Sequence, residues 1–482
     1  MTMRHTVRED FHALFLSDGK ICCDKFFLAP FPRICSSSRG HARRNLSLCN
    51  VRILELLAAL VTFQDCLAIV GQGADPGFRI PSITNPLHKR IHILSNMSNT
   101  KPAAAAAAAE KPESFNDSIL PKYKVAGEIS AKAIKAVIAA AAEGKTVLEL
   151  CNVGDKVLEE ETSAVYKGKS IAKGIAFPTT LSLNNVVCNY SPLPTDEEQI
   201  TLKKGDVVKV QLGAYIDGLP AITAETFVVG ADKSSPVEGR TADVIKAALV
   251  AADVAIRVMK PGVLNTEVSK EIEAAIKQFD CKAVEGMQTN QFNKNEIDAK
   301  KKIVLNAEPG SRPDTIKLEE DEIYGVDISV TTSAEGKTRS DDSKTTIYRK
   351  TNNTYLLKLQ TSRKVLSEIQ KKAASFPFNL KSLEDVRRAR IGVQECAKHG
   401  LLTPFHVLED SDKKAITAQV FFTVAVNAKG AIRITPAPTW ANEDNVKPAK
   451  QVTDDKIKAL LSTAVRQTKK KNKPAAAPAA SA

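Results

Sequence analysis

Two alternating strands joined at Asp217-Gly218, in the stretch VVKVQLGAYIDGLPAITAETFVV at residues 207 to 229, constrain this chain more than any other feature. An Asp-Gly pair tolerates the positive φ values that a tight hairpin turn needs, and the alternation on either side fixes the register. Along the first strand Val207, Lys209 and Gln211 share one face, while Val208, Val210 and Leu212 share the other. A hairpin built to hold a metal ion needs carboxylates on facing strand positions. Here the only strand acid is Glu225, with Asp217 at the tip.

A chain of 482 residues can hold one large domain with appendages or two to three ordinary domains. Its hydrophobic fraction of 43% is ordinary for a soluble globular protein. The formal charge of +13 suggests a polyanionic partner, but its placement is uneven. Residues 1 to 96 hold 12 Lys/Arg against 7 Asp/Glu, residues 464 to 482 hold five Lys/Arg and no acid, and the central body is left with +3. The basicity is therefore concentrated in the flanks. Five of nine cysteines and five of seven histidines also precede residue 97. The body keeps Cys151, Cys188, Cys281 and Cys396, widely spread and without a CxxC, which fits a reducing compartment. With only His399 and His406 in the body, a His-rich zinc site there is nearly excluded by inventory.

Residues 1 to 96 read as an atypical extension, mostly without structure: either a leader or translation upstream of a start at Met97. Its apolar stretch at 53 to 71 carries Glu55, Gln64 and Asp65, which argues against a membrane span. Residues 97 to 120 form a low-complexity linker, and a patterned domain is expected over 121 to 463. Helical spacing predicts helices over 124 to 144, about 147 to 166 and 241 to 262. Strands are expected within 174 to 194, in the hairpin, and at 323 to 332 and 416 to 427. A Lys/Arg-dotted insertion at 344 to 408 contains two further helical stretches and FPFNL. This order indicates a mixed α+β class rather than a run of βαβ units.

Several stretches in fixed order, KGIAFPTTLSLNN, LKKGDVVKVQLGAYIDG, ADVIKAALVAADVAIRVMKPG, IYGVDISV and VQECAKHGLLTPFHVL, together resemble the type II methionine aminopeptidase superfamily. The resemblance is strongest to its proliferation-associated branch, the ErbB-receptor-binding and curved-DNA-binding proteins, and spans about residues 120 to 465. It implies the pita-bread fold, in which two pseudo-symmetric αβ halves enclose a pocket. In active members two metal ions sit there on two Asp, one His and two Glu, activating a water and clamping the peptide carbonyl. The matching positions in this chain are Gln211, Ile222, Met287, Asp327 and Phe421, and the place of a substrate-contacting His is taken by Asn189. An amide, a branched aliphatic, a thioether and a phenyl ring cannot replace hard anionic ligands. The expectation is a pseudoenzyme with no metal and no cofactor, its Ile222 and Phe421 packing the former pocket while Gln211 and Asp327 bond to each other or to a water.

Function is then expected on the surface. The tail RQTKKKNKPAAAPAASA offers Arg466, Lys469, Lys470, Lys471 and Lys473 as a basic arm able to bind phosphates non-specifically or to serve as a nuclear localisation signal. The insertion adds Lys344, Arg349, Lys350, Arg363, Lys364, Arg387, Arg388, Arg390 and Lys398. The resemblance implies that both face RNA of the large ribosomal subunit in a protein of cytoplasm and nucleus or nucleolus; protein partners and no membrane are expected, and the oligomeric state is left open with a monomer favoured. DNA is the rival ligand. Aromatics exposed for base stacking are not evident, so contacts to backbone and shape are the expected mode.

Overall fold

The computed structural model describes residues 114–372 and 375–466, together with the backbone of one hairpin upstream. The chain divides into two compact units, Met1–Ala107 and Ala108–Ala482. Within the first, β1 (His12–Ser17) pairs antiparallel with β2 (Lys20–Lys25). The remainder of the expected extension, residues 97–113 of the linker, and Lys469, Lys470, Lys471 and Lys473 of the arm lie outside the described residues.

The second unit opens earlier than the sequence suggests. A π-helical turn, Phe115–Ile119, runs directly into α1 (Leu120–Ala140), whose first turn carries Pro121. Pro121, which has no N–H to offer the turn before it, falls where the π-helical turn passes into the α-helix. The helix stops four residues before Gly144, which occupies the turn that follows. Next comes α2 (Val147–Ala164), begun by a reciprocal cap in which the Thr146 hydroxyl accepts from the Glu149 N–H and the Glu149 carboxylate accepts from the Thr146 N–H. The chain then forms β3 (Lys173–Leu183), β4 (Val186–Cys188), β5 (Val207–Ile216) and β6 (Leu219–Val228). Between β5 and β6, Asp217 and Gly218 sit at φ 56° and 75°, as the Asp-Gly pair requires.

A second helix pair, α3 (Gly239–Val258) and α4 (Asn265–Lys277), precedes β7 (Lys282–Ala283), β8 (Gln288–Phe292), β9 (Lys302–Val304) and β10 (Ile323–Thr331). The insertion region follows with β11 (Thr338–Asp341), β12 (Ile347–Lys350), α5 (Gln360–Lys372), β13 (Phe378–Asn379), α6 (Val386–Lys398), β14 (Leu402–Phe405) and β15 (Val407–Asp410). Then β16 (Thr417–Ala425), β17 (Ile432–Arg433) and α7 (Asp455–Ser462) complete the unit.

Among the described residues the main sheet has nine strands, ordered β3-β5-β6-β16-β10-β8-β9, with β17 beside β16 and β7 beside β10. The two expected halves are visible in this order. Helices α1 and α2 pack with β3, β5 and β6 in one apolar core, and α3 and α4 pack with β10 and β16 in another. The halves meet at β6 and β16, where the ladder has one registered pair, Phe421 with Ala224. Threonines supply the rest. Thr226 Oγ1 donates to the Gln419 carbonyl, Thr223 Oγ1 to the Phe421 carbonyl, and Thr423 Oγ1 accepts from the Ile222 N–H while donating to its carbonyl. The alternation of the opening hairpin does not translate into a wet face, since every residue of β5 and β6 is buried. A third core, around Val365, Ile369, Val393 and Cys396, belongs to α5 and α6.

Candidate functional site: the seam between the halves and the basic insertion

Strand register brings four of the predicted ligand positions onto one face of the seam. Gln211 lies opposite Ala224, Ala224 opposite Phe421, and Phe421 opposite Asp327, so the row crosses β5, β6, β16 and β10. Cross-strand partners share a face, and Ile222, two residues from Ala224, shares it as well. Gln419, two residues before Phe421, completes the group.

Gln419 is the centre of the cluster. Its Nε2 donates to Gln211 Oε1 at 3.0 Å and to Asp327 Oδ1 at 3.0 Å. Gln211 and Asp327 are therefore joined through a third side chain rather than directly. Asp327 Oδ1 also accepts from the Ser329 hydroxyl at 3.2 Å, and its N–H donates to Thr289 Oγ1 at 3.2 Å. Burial lifts the Asp327 carboxyl to about 6, against the hydrogen bonds from Gln419 and Ser329 that favour its charge.

The apolar members fill the remaining space. The Phe421 ring stacks on Phe292 with centroids 6.5 Å apart, and both rings lie over Gly325, where a Cβ would clash with each. The Ile222 side chain lies over Gly213 in the same way. Lys209, on the same face of β5 as Gln211, is 1% exposed and donates from Nζ to the Asn184 carbonyl at 2.7 Å. Burial holds its amine well below the usual lysine range. Met287 sits off the row, in a small apolar cluster with Val187, Cys188 and Val284. Cys188 links that cluster to the seam: burial, and next the nearby Asp327 carboxylate, push its thiol up to about 12. Asn189 adopts φ 67° and donates from Nδ2 to the His406 carbonyl at 2.9 Å. Glu225 belongs to the opposite face of β6, where it accepts from the Trp440 N–H.

These residues do not fit a pair of divalent ions. One carboxylate oxygen and one amide oxygen are already committed to the Gln419 amide, and a phenyl ring and a branched aliphatic occupy two of the positions that the resemblance assigns to ligands. Among the described residues no group of three or more His, Cys, Asp and Glu is arranged to hold a metal ion.

The basic candidates divide by what they already hold. Arg349 forks onto the Asp298 carboxylate, Arg390 pairs with Asp196 at 2.8 Å, Arg388 with Asp385 at 3.2 Å, and Lys344 with both Asp341 and Glu409. Lys350 is half-buried on β12. Arg363, Lys364 and Arg387 are exposed on α5 and α6, with no carboxylate in ion-pairing distance among the described residues. Arg466 is exposed beyond α7. Two features escape the sequence reading. Gln419 was detectable, because residues i and i+2 of a strand share a face with Phe421. An exposed aromatic is also present, contrary to expectation: Tyr355, in the polar run before α5, is 43% exposed and stacks on His399 at 3.8 Å.

The model of metallopeptidase family M24 matches residues 121–316. The chain is 42% identical over 383 residues to a curved DNA-binding protein of Schizosaccharomyces pombe, covering 79% of this chain and 98% of the relative. It is 38% identical over 355 residues to an ERBB-3 binding protein 1 of Arabidopsis thaliana, covering 73% and 87%. Among solved structures, a thermophilic Arx1 superposes with a TM-score of 0.68 at 33% identity, covering 73% of this chain and 99% of that one.

Proposed function

This chain belongs to metallopeptidase family M24, on the branch of the curved DNA-binding, ERBB-3-binding and proliferation-associated proteins, and from that premise we propose that it is a catalytically inactive member working as a ribosome-associated, RNA-binding factor. The observation that carries the first half is the Gln211–Gln419–Asp327 cluster. Amides and apolar groups stand where the peptidase mechanism needs anionic ligands, and the one remaining carboxylate is hydrogen-bonded into the sheet. A metal-dependent hydrolysis then has no water activated and no carbonyl clamped.

For the second half, support comes from the cations of α5 and α6 that have no carboxylate partner, and from the Lys-rich tail. The proposed setting is the large ribosomal subunit and its RNA, in ribosome biogenesis, translation or growth control, in cytoplasm and nucleus or nucleolus. No helix of the described residues is long and apolar enough to cross a membrane. A second reading, binding of curved DNA in transcriptional control, is favoured by the name of the Schizosaccharomyces pombe relative. Sedimentation of tagged protein with purified large subunits, at low and high salt and with or without residues 464 to 482, separates the two. Co-sedimentation at low salt that weakens with salt and with loss of the tail is expected. Absence from subunit fractions at low salt, with retention on bent duplex DNA, would favour the second reading.

A further inference from the structure

The end of the α5–α6 pair combines three things that backbone binding does not require. Tyr355 is held parallel to His399, with ring centroids 3.8 Å apart and 11° between planes, yet remains 43% exposed. Leu356, beside it, is 85% exposed, and Leu359 is 53% exposed. The loop that carries them is tied down. Thr351 Oγ1 and Asn353 Nδ2 both donate to the Gly400 carbonyl, at 2.6 and 2.9 Å, and the Glu395 carboxylate of α6 accepts from the Lys358 and Leu359 N–H groups. An aromatic face and two aliphatic side chains are thus displayed on a fixed frame, and little ordering entropy remains to be lost on binding.

The surroundings say what such a frame would hold. Residues 349 to 400 contain twelve Lys/Arg and four Asp/Glu. All four acids are committed locally: Glu368 and Glu384 to Lys372, Asp385 to the first turn of α6, and Glu395 to the loop. Lys398 adjoins the stacked His399, and Arg363 reaches back to the Lys358 carbonyl. Arg349, Arg390 and Lys381 are met by Asp298, Asp196 and Asp155 from outside the segment. Lys358, Arg363, Lys364 and Lys398 are among the cations left with no carboxylate in ion-pairing distance among the described residues, on the loop and helices that carry the aromatic face. That pairing suits a polyanion that carries flat apolar rings, which is a nucleic acid strand with bases out of the stack. A duplex would present only phosphates and groove edges to Tyr355 and leave the two leucines in water.

We propose that Tyr355, backed by His399 and flanked by Leu356 and Leu359, is a stacking platform for an unpaired base of an RNA loop. The proposal rests on the RNA-binding reading above and replaces pure backbone recognition with a selection for single-stranded elements.

The test uses the full-length protein and two RNA probes with equal phosphate number, a stem-loop and a blunt duplex, read by fluorescence anisotropy. Tyr355→Ala should weaken stem-loop binding about ten-fold or more and duplex binding by less than about two-fold, with Tyr355→Trp restoring the stem-loop affinity. The double change Lys364→Glu with Arg387→Glu should weaken both probes. Equal losses on the two probes, or no change in either, would overturn the platform, and in the latter case Tyr355 and Leu356 go to a protein partner instead. Should the unmodified protein bind neither probe at low salt, the RNA-binding reading itself fails, and the platform with it.

Discussion

The seam between the two halves and the α5–α6 pair of the insertion use polar groups in opposite ways. At the seam the polar side chains are buried and turned on one another: Gln419 serves both Gln211 and Asp327, and threonines stitch β6 to β16 where the backbone ladder does not. On the insertion the acids are consumed by helix ends and loops, while Arg363, Lys364 and Arg387 face water without a carboxylate. Buried polar groups must be paired at home, whereas exposed cations are free to meet an outside charge. The positions that the resemblance assigns to metal ligands thus form an internal brace, and on the proposed reading the surface is what recognises a partner.

The largest test of that contrast is Phe421→Glu. Returning a carboxylate to the seam buries a charge whose nearest buried cation on that face, Lys209, is already committed to the Asn184 carbonyl, and unfolding by urea should show a loss of about 3 kcal/mol or more. A variant as stable as the unmodified protein, or one rescued by Mn²⁺, would mean that the seam still accepts a metal.

The pH dependence of Asp327 follows closely in size. Its folded value of about 6 lies above the unfolded value of about 3.9, so its neutral form favours the folded state. That contribution is full below the unfolded value and is lost as pH rises through 6. Cys188, the other titrating group against it, titrates far above this window. Relative to Asp327→Asn, the unmodified protein should therefore lose on the order of 3 kcal/mol between about pH 4 and pH 7. A flat difference across that range would show that the carboxyl is not buried as described.

Gln419→Leu should cost less, about 1–3 kcal/mol, because it leaves the Gln211 and Asp327 oxygens without their shared donor. Its effect should shrink sharply in a Gln211→Leu background. Smallest of all, Lys364→Glu with Arg387→Glu should change thermal stability by no more than about 0.5 kcal/mol, since both side chains are exposed and neither pairs with a carboxylate among the described residues.

Much of this contrast can be read from the chain itself, and the reasons for the gaps are physical. The hairpin was plain because Asp217-Gly218 and period-two alternation are local signals. That both of its faces are covered was not, because burial of Lys209 depends on β3 and β16, far away in the chain. Helix α4 was legible and went unread, since Val268, Ile272, Ala275 and Ile276 are buried at helical spacing, whereas the short strands β7, β8 and β9 carry little periodicity of their own and exist through their tertiary neighbours. The row Gln211, Ala224, Phe421, Asp327 needed the register of four strands, so a resemblance could name Gln211, Phe421 and Asp327 but not join them through Gln419. Tyr355 was invisible for a similar reason: its exposure and its stacking on His399 come from the way α6 ends beside the loop before α5.

The account stands or falls on which of the two regions a partner needs. Co-sedimentation with purified large ribosomal subunits at low salt should be measured for two variants side by side, Gln419→Leu at the seam and Lys364→Glu with Arg387→Glu on the insertion. The prediction is that the seam variant pellets with the subunits as the unmodified protein does, whereas the insertion variant stays in the supernatant. Retention of the insertion variant together with loss of the folded seam variant would contradict it.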